Sequence, residues 1–293
     1  MEQRDRARVQ QPIPGPRLIA VLGCTVGAGQ SVTTLMLSDV LASLRGEPVA
    51  ALDLNPGPTC LSGLARTAPA ATVRGLLAGS PPTAPAPRRG RLDLIAHDAE
   101  APGEGLSDPD YARLLRIITD RYMLTLADPG ASAVARLLSV ADQLVLVAPA
   151  SAEASRAVAM TMEWLDGHGF AELCAGSVAV INGVSKRSMS HVEQAELIVR
   201  GRCRVTVRVP WDERLAAART TPGSSPGNGR SAQGPESRFS QLRPQAQLAY
   251  TALAGVLVSA LAADPPAAAG QPAAAGLPAT PAPGNGEQRR ASQ

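Results

Sequence analysis

Lysine is nearly missing from this chain. Of its 28 basic residues only Lys186 is not arginine, and Ala, Pro and Gly are abundant, a pattern that reads as compositional bias more than as selection for bidentate anion contacts. Aromatic residues are scarce as well, at 2% against 45% hydrophobic residues, so the core must be built from Ala, Val and Leu. Such a core suits helices packed on a parallel sheet better than an aromatic-rich sandwich. Four cysteines, Cys24, Cys60, Cys174 and Cys203, stand far apart with no C-x-x-C pair. That spacing speaks against a zinc site or a disulfide framework and fits a cytoplasmic location. His97, His168 and His191 are isolated and have no metal-ligand spacing. A net charge of +3 is too mild to point to nucleic acid by itself. The first 17 residues are polar and hold no apolar signal core. The uncharged stretch 245–263 mixes Gln, Thr, Ser and Gly with its alanines, and reads as a packed helix rather than a membrane span.

What is present is an alternation. Short apolar runs at 18–23, 49–54, 92–96, 123–128, 144–148, 178–182 and 205–209 read as strands, several of them continuous as in a sheet covered on both faces. Helical candidates lie between them at 32–44, 72–78, 108–120, 132–140, 151–168 and 191–200. The pattern predicts an α/β fold: a doubly wound, mostly parallel sheet with helices on both faces, over residues 17–263. Residues 1–16 are expected to be a disordered arm, about 80–91 and 220–238 flexible insertions, and 264–293 a disordered Pro/Ala-rich tail.

Four of the strand candidates end in residues suited to a ligand: Gly23, Asp53, Asp128 and Asn182. In open α/β sheets the carboxyl ends of strands border the binding crevice, so these residues should converge. After Gly23 the chain reads Cys24-Thr25-Val26-Gly27-Ala28-Gly29-Gln30-Ser31-Val32, a glycine-rich turn opening into a helix. Backbone amides from Gly27, Ala28, Gly29, Gln30, Ser31 and Val32 can turn toward an anion, with the helix dipole behind them. Ser31 can cap the helix or ligate Mg²⁺, and Asp53 and Asp128 are the carboxylates able to hold that ion through water. The plainer alternative is a tight turn at Gly27 and Gly29, with both aspartates capping the segments after them.

Two families share parts of this pattern. The glycines at 23, 27 and 29, with Asp53 placed 24 positions after Gly29, resemble short-chain dehydrogenases. Those enzymes need Tyr-x-x-x-Lys. Four residues before Lys186 stands Asn182, and none of Tyr111, Tyr122 or Tyr250 has a lysine four residues on, so that chemistry is excluded while dinucleotide binding is not. The wider resemblance, from about 18 to 263, is to the ParA/MinD family of deviant Walker-A P-loop ATPases. The family loop K-G-G-x-G-K-[ST] falls on Thr25 through Ser31, and its D-x-D-P segment resembles Asp53-Leu54-Asn55-Pro56. The D-x-P-x-G segment is similar to Asp128-Pro129-Gly130 with one residue missing, and the A-D-x-V-x-V-x-x-P stretch is similar to 141–149. By the same resemblance Asn182 is the adenine-side asparagine, and Val209-Pro210-Trp211-Asp212 matches the I-P-Y-D turn, which places Asp212 among the nucleotide-binding residues.

The departures fall on the chemistry. Gln30 stands where the resemblance puts the phosphate-clamping lysine, Thr25 where it puts the signature lysine that crosses a dimer, and Asn55 where it puts the water-activating aspartate. Phosphoryl transfer depends on positioning and charge stabilisation, and losing one preorganised donor alone costs roughly 10²–10³ in rate. The expectation is therefore a degenerate member: a nucleotide-binding pseudo-ATPase, at most a weak ATPase, holding ATP or ADP with Mg²⁺ weakly or not at all. The resemblance implies a scaffold or sensor for partitioning, positioning, secretion or conjugation machinery, with a protein partner and a homodimer among its expected assemblies. Two readings stay open beside it. One is a slow ATPase in which Arg66, Arg74 or Arg136 replaces the lost cation, dimerising on ATP. The other is a DNA-binding module using Arg200, Arg202, Arg204 and Arg208, although a solvated strand edge explains that run more simply.

Overall fold

A computed structural model describes residues 2–55, 60–65, 68–80, 82, 92–98, 106–217 and 238–263. Its centre is one eight-stranded parallel sheet of β1 (Arg17–Gly23), β2 (Val49–Leu54), β3 (Ala71–Thr72), β4 (Leu92–Ala96), β5 (Leu124–Pro129), β6 (Gln143–Pro149), β7 (Val178–Val184) and β8 (Val205–Pro210). The spatial order is β3-β4-β2-β5-β1-β6-β7-β8, so β1 lies inside the sheet, with β2 to β5 on one side and β6, β7 and β8 in sequence on the other. The expected doubly wound sheet is thus present. Seven strands fall on the expected apolar runs; the two-residue edge β3 is additional, and so short that it carries no period to read.

Successive residues of a strand point to opposite faces, and here both faces are covered. In β1, Ile19 and Val21 enter one apolar cluster and Leu18 and Ala20 the other; in β6, Val145 and Val147 separate in the same way from Leu144 and Leu146. The first face packs against α1 (Glu2–Val9), α2 (Gln30–Arg45), α3 (Leu61–Ala65) and α11 (Pro244–Ala263). The second is covered by α4 (Val73–Leu77), α5 (Asp108–Thr119), α6 (Val134–Leu138), α7 (Ala154–Gly167), α8 (Ala171–Gly176) and α9 (Met189–Val199). The short α10 (Glu213–Ala217) follows β8.

Local chemistry sets the ends of these elements. Helix α2 lies between two left-handed glycines, Gly29 (φ 99°) and Gly46 (φ 73°). Helix α5 opens with a capping box in which Ser107 and Asp110 bond reciprocally, with Pro109 in its first turn. Helix α11 is long and apolar enough to span a membrane by composition alone, but here it is a core helix: Tyr250, Leu253, Ala254, Leu257 and Val258 are fully buried against the sheet and α2.

The N-terminal residues correct an expectation. Glu2–Val9, read as part of a disordered arm, form α1 and pack on α11. Three features hold the arm in place. Val9 is fully buried, the Arg45 guanidinium donates to the carbonyls of Val9 and Gln11 at 2.6 and 2.8 Å, and Gly255 lets α1 approach closely. A Cβ at Gly255 would sit 3.0 Å from the Asp5 carbonyl oxygen. All three depend on partners far away in sequence. The insertion 83–91, most of 220–238 and the tail 264–293 lie outside the described residues.

Candidate functional site

The strand register brings the candidate residues together at the carboxyl edge of the sheet. Asp53 of β2 lies directly beside Asp128 of β5, and β1 between β5 and β6 delivers the glycine loop to the same edge. Asn182 of β7 pairs with Pro149 of β6. Past the end of β1 the Cys24 amide still bonds the Val147 carbonyl at 2.8 Å, and Ala28 closes a turn back to Thr25 at 3.1 Å. Gly27 and Gly29 both have positive φ, which glycine adopts without strain. At Gly29 the requirement is also steric, because a Cβ there would lie 2.0 Å from Asn182 Nδ2. That nitrogen donates to the Ala28 carbonyl at 3.1 Å, so Asn182 holds the loop from across the crevice.

Gln30 decides what this loop can do. Its Oε1 accepts from the Gly23 amide at 2.7 Å, while its Nε2 donates to Asp128 Oδ1 at 2.6 Å and to the Pro129 carbonyl at 2.9 Å. Both amide protons are therefore used within the protein. A lysine at this place would bring a positive charge; the glutamine instead stitches the end of β1 to the end of β5.

Asp128 is fully buried, and burial pushes its carboxyl up to about 6. The nearby Ser31 hydroxyl and the Gln30 hydrogen bond oppose the rise, and the neighbouring Asp53 charge adds to it. Its Oδ2 has no hydrogen-bond partner among the described residues. A buried carboxylate oxygen without a donor, beside the Ser31 hydroxyl, matches the hard oxygen donors that Mg²⁺ takes. Asp53 differs. Its Oδ1 accepts from the Asn55 amide at 3.1 Å and its Oδ2 from the Ser62 amide at 3.3 Å, so it caps the segment after β2. Burial raises its pKa, and those backbone bonds counter the rise. Asn55 and Thr25 line the same cavity, of about 530 Å³, as the loop, Pro129 and Gly130.

A second cavity, of about 210 Å³, lies on the other side of the loop, between Ala28, Pro149, Ser151, Asn182, Gly183 and Trp211. Trp211 is 52% exposed and leans over Gly183, where a Cβ would come within 3.5 Å of its ring. Asp212 borders this cavity, but its carboxylate accepts from the backbone amides of Arg214 (2.9 Å) and Arg243 (2.8 Å), tying the end of β8 to the start of α11.

The arginines considered as substitutes for lysine do not line either cavity among the described residues. Arg136 bonds Asp108 at 2.6 Å and stacks over Tyr111 at 5.5 Å. Arg74 sits in the first turn of α4, on the second face, and Arg66 lies outside the described residues. In the arginine run, Arg208 makes a two-pronged pair with Glu196 at 2.5 and 2.6 Å, and Arg202 pairs with Asp166. Arg202 and Arg208 are thus each neutralised by a neighbouring acid.

Sequence reading missed two things in this site. It did not anticipate that Gln30 would bond inward, nor that Asp212 would act as a backbone cap. The Asp-x-Arg spacing after Pro210 is the only local hint of that cap.

The fold is of the ParA/MinD type. Similar solved structures include the MinC:MinD cell division complex of Aquifex aeolicus (TM-score 0.59, 16% identity, covering 82% of this chain and 95% of that one). A ParA family ATPase from Chlorobium tepidum is similar at TM-score 0.56 and 16% identity, over 82% of this chain and 99% of its own. At these identities the likeness establishes the fold. No protein-family profile matches the chain. Among curated proteins it is similar to the ESX-1 secretion-associated protein EspI of Mycobacterium tuberculosis, 28% identical over 235 residues, which is 72% of this chain and 34% of that protein. The chain thus spans about a third of the length of the curated relative it matches.

Proposed function

We propose that this chain is a pseudo-ATPase of ParA/MinD type: a cytoplasmic scaffold or nucleotide sensor that serves a secretion assembly through protein contacts. The observation that carries the proposal is the closed bonding of Gln30. With both amide protons held by Asp128 and Pro129, the position that supplies a phosphate-clamping cation elsewhere in the fold supplies none here. The loop amides, Ser31 and Asp128 retain the chemistry to hold a nucleotide's phosphates and a divalent cation. Mg²⁺, when bound, would offset charge between phosphate oxygens and the Asp128 carboxylate. At the positions of the signature lysine and the water-activating aspartate, Thr25 and Asn55 bring neither a second cation nor a carboxylate to stabilise a hydrolytic transition state. The secretion setting is supported by the name of the curated relative.

Phosphate release with Mg·ATP, together with calorimetry using Mg·ATP, ADP and Mg-free ATP, tests the reading. The wild type is expected to release phosphate at background rate. Gln30→Lys is expected to tighten nucleotide binding by about tenfold or more, the scale of one charge-assisted hydrogen bond. Turnover at ordinary ATPase rates in the wild type would overturn the proposal in favour of a working ATPase. Failure to bind any nucleotide at millimolar concentration would leave the scaffold and remove the sensor.

A further inference from the structure

At the opposite edge of the sheet, where β7 and β8 begin, the fold gathers two sulfurs. Cys174, in the last turn of α8, is 2% exposed; Cys203, in the turn between α9 and β8, is half-buried and packs against the apolar cluster that contains Cys174. Ser177 joins them. Its hydroxyl lies 2.6 Å from the Cys174 carbonyl oxygen and 3.2 Å from Cys203 Sγ, and its own carbonyl accepts from the Arg204 amide at 2.9 Å. The Cys203 amide is held in turn by the Val199 carbonyl at 3.1 Å. Helix end and turn are therefore pinned to one residue, which holds the Cys203 thiol directly and Cys174 by its carbonyl, and the two thiols interact with each other.

The surroundings differentiate the pair. Hydrogen bonds from the Cys174 thiol and the Ser177 hydroxyl, with the Arg202 guanidinium nearby, hold the Cys203 thiol below the ordinary cysteine range. Cys174, the donor in that contact, is shifted upward. Burial pushes the Cys24 thiol the other way, up to about 12. A partly exposed thiolate beside a second thiol is the arrangement of redox-sensing cysteines, which also occur in reducing compartments.

We infer that Cys203 is a site of oxidation by hydroperoxides and Cys174 its resolving partner, so that mild oxidation closes an intrachain Cys174–Cys203 disulfide. In the first step the Cys203 sulfur attacks a peroxide oxygen. The O–O bond breaks, Cys203 becomes a sulfenic acid, and the departing oxygen takes up a proton as water. In the second step the Cys174 sulfur attacks the Cys203 sulfur. The S–O bond breaks, and the leaving hydroxide combines with the proton from Cys174 as a second water. Two thiols lose two electrons in all, and one hydrogen peroxide is reduced to two waters. The bridge ties the end of α8 to the turn that feeds the outermost strand, and a dithiol reductant reverses it.

The test is hydrogen peroxide titration of the full chain, followed by alkylation and mass spectrometry. Before alkylation the expected product is 2 Da lighter, and trypsin releases the segment 157–186 joined through the disulfide to the dipeptide Cys203-Arg204; dithiothreitol restores the original mass. In the unoxidised protein at neutral pH, Cys203 should alkylate about tenfold faster or more than Cys24. Cys174→Ala should lose the 2 Da product and accumulate a dimedone-trapped sulfenic acid at Cys203, with circular dichroism confirming that it folds. Cys203→Ser should leave Cys174 unoxidised. The inference fails if wild-type Cys203 advances to sulfinic acid without joining Cys174. It also fails if Cys24 or Cys60 oxidises as fast as Cys203.

Discussion

The two sides of the crevice use their polar groups differently. On the side of Gln30 and Asp128 the bonds run from side chain to side chain and to strand ends, and one carboxylate oxygen is left without a donor. On the side of Asn182 and Asp212, each polar side chain bonds the backbone of a distant segment. The first side therefore retains a group whose chemistry suits a cation. The second holds the loop and the last helix in place while framing a cavity. Substitutions on the second side should be felt mainly as lost stability, and on the first side mainly as altered ligand binding.

Gly29→Ala should break this division most severely. It places a methyl group on Asn182 Nδ2 at a backbone φ of 99°, and should destabilise the chain by about 2–4 kcal/mol in urea unfolding. Adding Asn182→Ala should recover the steric part but not the backbone part. Asp212→Ala comes next. It strands two backbone donors at the start of α10 and α11 and should cost about 1–3 kcal/mol, with nucleotide affinity unchanged when measured below the unfolding transition. An equal or larger loss of affinity would show that Asp212 touches ligand and that the division is wrong. Gln30→Ala removes bonds to Gly23, Asp128 and Pro129 and should cost about 1–2 kcal/mol; its effect on Mg²⁺-dependent nucleotide binding should exceed that of Asp212→Ala.

The smallest effect belongs to the outer strand, away from both sides. Glu196 is held below its ordinary range chiefly by its hydrogen bonds to Arg208. A carboxyl lowered in the folded state contributes stability that is complete above its unfolded pKa and disappears as pH falls through the folded value. Because the pair is partly exposed, its contribution should be no more than about 1 kcal/mol. Arg208→Ala should flatten that part of the acid unfolding curve, and an unchanged curve would mean that the pair contributes nothing in solution.

The sheet was largely legible because each central strand is covered on both faces and so is a run of apolar residues ending in a polar or glycine-bearing segment. Gly23, Asp53, Asp128 and Asn182 reach one edge because parallel strands end together. Less legible were elements without a period of their own: β3 has two residues, and α1 is polar on most of its surface and is held by Arg45, Val9 and Gly255. The roles of Asp53 and Asp128 could not be distinguished by position either. They stand side by side in register, yet one is met by backbone amides and the other only partly by side chains.

Sequence by itself determined the doubly wound parallel sheet, the glycine loop at the end of β1 and the absence of a lysine there. These follow from local pattern and residue identity, since apolar runs, positive-φ glycines and a neutral amide keep their meaning wherever the chain folds. Tertiary structure alone decided where the Gln30 amide points, which aspartate keeps an unpartnered oxygen and which two of four cysteines meet. Each of those depends on a distance between segments far apart in the chain, set by strand register and by the packing of helices on the sheet.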